Sequence, residues 1–216
     1  MQKFLSETTF LNFRHPVFDT IEFNFGNNPT QQKLAVTLYY FIRDKFLYDP
    51  FHLSLTYDAL TASNILNKKR AWCVEKSIVL AALSRRFGIP SRLGFAIVKN
   101  HLGENKLSVY LKREEIVFHG YVSLNINGNW VKCTPAFDKR VCAINGVSPL
   151  EWDGKTDSLF QEFQNDNKFM EYIHFYGEFD DVPIELMNAE MKKYYPHLFQ
   201  NRIQTKEFSF EHLPFR

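Results

Sequence analysis

The chain has 216 residues, of which 45% are hydrophobic and 16% aromatic, which is enough apolar material for one well-buried globular core. The formal net charge is +2, and basic and acidic residues are mixed along the chain, which argues against nucleic-acid binding. Residues Met1–Glu7 lack an apolar signal core, and no uninterrupted apolar stretch approaches the length of a membrane span. We therefore expect one cytoplasmic domain over residues 1–216, with neither a membrane nor a nucleic acid as partner.

The cysteines and histidines do not form a metal or disulfide pattern. Three cysteines are too few for a disulfide framework, and they lack the paired spacing of zinc ligands. The seven histidines include no His-x-x-x-His pair, and the chain has no glycine-rich phosphate loop. We therefore expect neither a metal ion nor a cofactor.

The first predicted element that bears on function is a helix beginning at about Pro29, and a later helix begins at Cys73. The later helix is indicated by the apolar run Val74–Phe87, which contains no glycine or proline. Gly88 follows where a left-handed C-terminal cap is expected. Apolar residues lie on more than one face of this helix, so we expect it to be buried in the middle of the domain.

Cys73 stands in the first turn of that helix. A thiol placed there feels the positive end of the helix dipole and unpaired amide groups, which stabilise the thiolate and predict a lowered thiol pKa. The alternative is that Cys73 is a small buried hydrophobic residue, as many free cysteines are. The catalytic interpretation therefore needs a partner histidine.

Residues 116–135 supply one, because they predict two strands around a turn at Asn127 and Gly128. Strand alternation places His119 on the polar face of this hairpin. With a two-residue loop, Thr134 falls diagonally beside His119 on the same face. A buried histidine with a purely structural role stays open as the alternative.

Together these blocks resemble the transglutaminase-like superfamily. The resemblance lies in a cysteine that opens a helix ending in Phe87–Arg92, a strand that carries His119, and a Gly-x-Trp-x-x-x-x-Pro return strand from Gly128 to Pro135. It covers about residues 30–140 and extends more loosely through Val147–Gly154, where it is similar to a bacterial branch of the superfamily.

This resemblance implies a papain-like α+β fold, in which a central helix carrying the cysteine packs against an antiparallel sheet carrying the histidine. The core is expected at about residues 29–140, followed by a C-terminal extension at about 141–216. The resemblance also implies a Cys-His-Asp catalytic triad that acts on an amide or peptide bond.

Two positions depart from the family pattern. Ala71 stands two residues before the cysteine, where the family usually has glycine. Thr134 stands where the family usually has the triad aspartate, and threonine can orient an imidazole but cannot supply a charge. Asp138 has the same strand parity as Thr134 and is the nearest carboxylate, so we predict Asp138 as the third member, with Thr134 as the alternative.

The predicted function is that of a cysteine enzyme of transglutaminase-like type, with Cys73, His119 and Asp138 as catalytic residues. It acts on a peptide or amide-bearing substrate through a thioester, and we expect hydrolysis in preference to amine transfer. Trp72 and Thr134 are expected on the substrate-binding side of the site. The alternative is a catalytically inactive binding or scaffolding domain of the same fold, which the missing aspartate at position 134 favours.

Overall fold

The computed structural model describes residues 1–100, 106–159 and 170–199. The helices in these ranges are α1 Gln31–Lys45, α2 Ala62–Leu66, α3 Cys73–Arg86, α4 Lys106–Leu111, α5 Lys139–Ile144 and α6 Ile184–Tyr194. The strands are β1 Leu47–Tyr48, β2 Arg70–Ala71, β3 Ser91–Asn100, β4 Glu115–Ile126, β5 Asn129–Cys133 and β6 Met170–Phe179. None of the described helices is long and apolar enough to cross a membrane.

Helix α3 is the predicted central helix, and every residue from Cys73 to Arg85 is buried. Its C-terminal end is fixed as the sequence indicates, because Gly88 has φ +75° and the Ile89 amide donates to the Ser84 carbonyl at 2.8 Å. Polar side chains of α3 are buried along with the apolar ones. The sequence therefore shows no single apolar face on this helix.

A four-stranded antiparallel sheet in the order β5-β4-β3-β6 packs against α3. The predicted hairpin between β4 and β5 is confirmed, with Ile126 opposite Asn129 and Val122 opposite Cys133. The loop residue Asn127 has φ +52°, and the glycine after it has φ +91°, as a two-residue hairpin turn with positive φ at both positions requires.

The two faces of β4 have different roles. Gly120 and the apolar residues at alternate positions after it face α3, whereas His119 lies on the opposite, outer face, as the alternation predicts. Phe118 is an extra residue at this point, because Ala96 pairs with His119 while Ile97 pairs with Val117. The bulge holds Phe118 at φ +62°, and its ring stacks on Tyr176 with centroids 4.6 Å apart.

The residues after the sheet agree with the sequence in part. After Pro183 the sequence predicts one amphipathic helix through Tyr195 and then an irregular tail. The helix is present as α6, and its residues Ile184, Met187 and Met191 are buried. The irregular tail expected from Gln200 to Arg216 lies outside the described residues.

The contact between β4 and α3 predicts the effect of one substitution. A Cβ atom added at Gly120 would lie 2.9 Å from the Val74 Cα, so Gly120→Ala must push the strand away from the first turn of α3. We expect the free energy of unfolding, measured by urea denaturation, to fall by about 1–3 kcal/mol.

The matched control is Gly88→Ala, where an added Cβ meets no atom within 4 Å and only the positive φ is unfavourable. That strain is worth about 1 kcal/mol, and it leaves the strand-to-helix contact intact. A Gly120→Ala variant as stable as the natural chain would show that the contact is not tight.

Candidate active site

Cys73 is the first residue of α3, and its Sγ lies against the edge of β4. Sγ stands 3.8 Å from the Phe118 carbonyl oxygen, and the amides of Gly120, Val74 and Cys73 itself favour its thiolate form. The side chain is only 1% exposed. The cysteine is therefore placed at a helix start beside the histidine-bearing strand, as the sequence predicts.

The thiol pKa differs from the expectation. Burial raises the pKa of Cys73 to about 11, because loss of hydration disfavours the thiolate by more than the surrounding amides favour it. The sequence reveals the helix start and its dipole but not the complete enclosure of the sulfur. The expected lowering of the pKa is therefore wrong for the closed protein.

His119 is held at one ring nitrogen by Thr134. Its Nε2 lies 3.3 Å from the Thr134 Oγ1, and the same hydroxyl donates its proton to the Gly120 carbonyl at 3.0 Å. Because the threonine proton is already used, the hydroxyl oxygen is left to accept a proton from His119 Nε2. This assigns the proton of the neutral ring to Nε2 and leaves Nδ1 with a free lone pair.

His119 Nδ1 is buried and has no hydrogen-bond partner among the residues that the structure describes. The side chain is 2% exposed, and burial lowers the pKa of His119 to about 4. The ring is therefore neutral near pH 7, and the Nδ1 lone pair is available to accept a hydrogen bond. Among the described residues no hydrogen bond joins His119 to Cys73, and the part of β4 that contacts Sγ is the carbonyl of Phe118, the residue before His119.

A small cavity of about 10 Å³ adjoins His119. Its polar lining comes from His119 and Thr134, and the other lining residues are Ala136, Phe137, Leu150, Leu159 and Met170. A volume of this order accommodates about one water molecule. Within the described ranges, no group of three or more His, Cys, Asp or Glu side chains is arranged to hold a metal ion.

Asp138 has other partners than His119. Its carboxylate accepts the Tyr48 amide at 2.7 Å, the Arg140 amide at 2.9 Å and the Val141 amide at 3.3 Å, and it caps the start of α5. Strand parity, which pointed to Asp138, holds only while the chain stays extended, and β5 ends at Cys133. The residue that the structure brings to His119 is Thr134.

Trp72 precedes α3 and is buried beside the cysteine. Its backbone amide donates to the Glu75 carboxylate at 3.2 Å, so the residue helps to fix the start of the helix. The indole Nε1 has no hydrogen-bond partner among the described residues. A substrate-binding role for Trp72 stays a prediction.

Three residues near the site were not anticipated from the sequence. The hydroxyl of Tyr48 interacts with the Cys73 thiol, and β1 brings Tyr48 there by pairing it with Ala71. The ring of Tyr172 lies edge-on to His119 with centroids 5.6 Å apart. The third residue, Lys76, lies one turn after Cys73, and only its charge within an apolar run could have drawn attention to it.

Lys76 is fully buried, and its ammonium group is surrounded by carbonyls. Nζ donates to the Arg43 and Ala136 carbonyls at 2.8 Å each and to the Phe46 carbonyl at 3.2 Å. Burial lowers its pKa to about 7, while Asp138 and other nearby charges act in the opposite direction. These three bonds tie α3 to the end of α1 and to the segment that follows Thr134.

Comparison with known proteins agrees with this geometry. The model of the transglutaminase-like superfamily matches residues 20–135, which is more than half of the chain. Comparison with curated proteins found no match.

One solved structure is similar in part, a crystal structure from Cytophaga hutchinsonii named "Putative Cysteine Protease". It has 18% sequence identity and a TM-score of 0.42, and the match spans 61% of this chain and 40% of that one.

The family match covers the helix that carries Cys73, the strand that carries His119 and the return strand that ends before Thr134. The expected α+β architecture is present, with the cysteine helix packed against the antiparallel sheet. The chain belongs to the transglutaminase-like superfamily.

Proposed function

We propose that this chain is a cysteine enzyme that cleaves an amide or peptide bond, with Cys73 as nucleophile and His119 as general base. One observation carries the proposal: Thr134 occupies His119 Nε2 and leaves Nδ1 as a bare acceptor, on the strand whose Phe118 carbonyl contacts Sγ. A histidine with only a structural role would have both ring nitrogens satisfied in so buried a place.

In the proposed first step, after the movement that admits a substrate has brought the two side chains together, the thiol proton of Cys73 moves to His119 Nδ1 as Sγ bonds to the substrate carbonyl carbon. The carbonyl π electrons move to oxygen, and backbone amides at the start of α3 stabilise the resulting oxyanion. The oxyanion then re-forms the carbonyl as the carbon–nitrogen bond breaks, and the leaving amine takes the proton from Nδ1. A thioester to Cys73 and a free amine result.

Water then attacks the thioester, with His119 again accepting a proton, and Cys73 leaves as the restored thiol. The cavity of about 10 Å³ beside His119 supports water as the acceptor of the acyl group, because a volume of this order accommodates one water molecule next to the proposed base. We therefore propose hydrolysis rather than amine transfer.

Thr134 is assigned the orienting role in this proposal. It fixes the ring of His119 and its tautomer, but a hydroxyl cannot neutralise the imidazolium that forms during the reaction. Within the described part of the chain no carboxylate is bonded to His119, in agreement with the low pKa of about 4 that burial produces. The enzyme should therefore start from a neutral thiol and a neutral imidazole.

A non-catalytic role is the second candidate, and one observation favours it. Both Cys73 and His119 are almost completely buried, so a substrate reaches them only if part of the protein moves. A scaffolding domain that kept the family fold would need no such opening. The two candidates differ in whether an acyl group is ever found on Cys73.

The first test of the enzyme proposal uses p-nitrophenyl acetate, an activated ester that acylates thiols. We expect the natural chain to hydrolyse it and Cys73→Ala to lower the rate by about a hundredfold or more, because the nucleophile is gone. Mass spectrometry of quenched samples should place the acetyl group on the peptide that contains Cys73. Cys142→Ala is the control and should retain the rate; equal rates in all three proteins would favour the scaffolding domain.

A second test is the pH dependence of Cys73 alkylation by iodoacetamide. With a thiol pKa of about 11, the thiolate fraction rises about tenfold for each pH unit, so alkylation should be about a hundredfold faster near pH 9 than near pH 7. Peptide mapping separates Cys73 from the other cysteines. A rate that is already level from about pH 5 upward would instead indicate a thiolate–imidazolium pair.

The third test compares Thr134→Val with Asp138→Asn. Thr134→Val removes the hydroxyl that orients His119 at nearly constant volume, so we expect a loss of about tenfold or more in the p-nitrophenyl acetate rate. Asp138→Asn weakens the cap of α5 and the bond to Tyr48, so it should lower stability more than rate. The reverse order would assign the orienting role to Asp138.

A further inference from the structure

Strand β6 contains two bulges that place aromatic side chains on the outer face of the sheet. Tyr172 pairs with Val98, Phe175 with Ala96, and Glu178 with Gly94, while Ile173 and Tyr176 are skipped. Without the bulges, residues three apart on a strand would point to opposite faces. Bulges of this kind redirect side chains, and they are frequent beside active sites.

The redirected rings form a continuous row that begins at His119. The Tyr172 ring lies edge-on to His119, and it stacks on Phe175 with centroids 5.3 Å apart and planes inclined by 14°. Phe175 in turn meets the edge of Tyr121 with centroids 6.0 Å apart. We call Tyr121, Tyr172 and Phe175 the aromatic shelf.

Gly94 makes room for the inner part of this shelf. A Cβ atom there would lie 2.1 Å from ring atoms of Tyr121, so the ring can cross the sheet towards β6 only because position 94 lacks a side chain. Tyr121 is buried under its neighbours, whereas Phe175 is 44% exposed. The shelf therefore runs from the buried His119 to an open aromatic face at the surface.

Two cations and one carboxylate lie beside the shelf, and the carboxylate contacts both cations. Lys132 Nζ lies 5.9 Å from the ring centroids of both Tyr121 and Phe175 and 3.7 Å from the Glu178 carboxylate. The other Glu178 oxygen lies 3.1 Å from Arg92. These contacts neutralise Glu178. The exposed part of the shelf is the aromatic ring of Phe175, which suits an uncharged apolar group.

We propose that the aromatic shelf binds an aromatic or large apolar side chain of the substrate, on the acyl side of the bond that Cys73 attacks. This inference rests on the proposed function, because the shelf is defined by its contact with His119. An aromatic substrate ring would cover the open face of Phe175 and gain the ring-to-ring contacts that the row already makes. A substrate with glycine at that position would leave Phe175 in water.

The experiment uses two alkylating probes that carry an acyl-side residue, N-acetyl-phenylalanyl chloromethyl ketone and N-acetyl-glycyl chloromethyl ketone. Each transfers its methylene carbon to the Cys73 sulfur with loss of chloride. The rates of Cys73 alkylation are followed by peptide mass spectrometry and divided by the rates with glutathione, which removes the intrinsic reactivity of each probe. We expect the phenylalanyl probe to be favoured by about tenfold or more.

Phe175→Ala should reduce this preference to less than about threefold, and because Phe175 is 44% exposed the fold should be retained. The matched control is Ile173→Ala, which removes a more exposed apolar side chain, 53% exposed, from the bulge of the same strand. This control should keep the full preference.

Each other outcome overturns a specific part of the argument. Equal rates for the two probes, with Cys73 alkylated by both, would overturn the shelf and leave the proposed function standing. A phenylalanyl preference that survives Phe175→Ala would place the apolar subsite elsewhere. If neither probe alkylates Cys73 in the folded chain under conditions where glutathione reacts, the proposed function fails, and the shelf fails with it.

Discussion

The site depends on one buried ammonium group. Lys76 extends from the helix that carries Cys73 and donates to carbonyls at the end of α1 and in the segment after Thr134. An amine can be buried so completely only if its donors are satisfied, so the three backbone segments must meet around it. That meeting sets where Tyr48 and Thr134 stand relative to the cysteine and the histidine. The geometry of the site is therefore a consequence of how one lysine is accommodated.

Burial has a second consequence, which concerns the charge of the resting site. It raises the pKa of Cys73 and lowers that of His119, so both changes favour neutral partners over an ion pair. A carboxylate on the imidazole would oppose this effect, but Thr134 offers only a hydroxyl. The buried thiol and imidazole are therefore both uncharged. The proposed reaction requires either that water enter the site or that a substrate stabilise the developing charges in place of water. For this reason the proposed reaction requires that the site become exposed.

Bulges in the sheet determine where several side chains of the candidate site lie. The bulge at Phe118 sits directly before His119 and is held by packing of the Phe118 ring on Tyr176. The bulges in β6 bring Tyr172 and Phe175 to one face beside that histidine. In a regular antiparallel strand, Tyr172 and Phe175 would lie on opposite faces because they are three residues apart. The bulges let their rings stack on the face that carries His119. The regular part of the fold supplies a rigid frame, and the bulges aim the side chains.

Local signals in the sequence are sufficient to predict several features of this protein. The bounds of α3, the hairpin turn at Asn127 and the placing of Thr134 beside His119 all follow from periodicity and turn chemistry, which act over a few residues. Other features depend on how distant segments pack. The pKa of the Cys73 thiol is one, because desolvation depends on the complete enclosure of the sulfur. The partners of Asp138 are another, because strand alternation no longer applies once the chain leaves β5. The cage around Lys76 and the row of rings also arise from segments far apart in sequence, and no local pattern records which of them will meet.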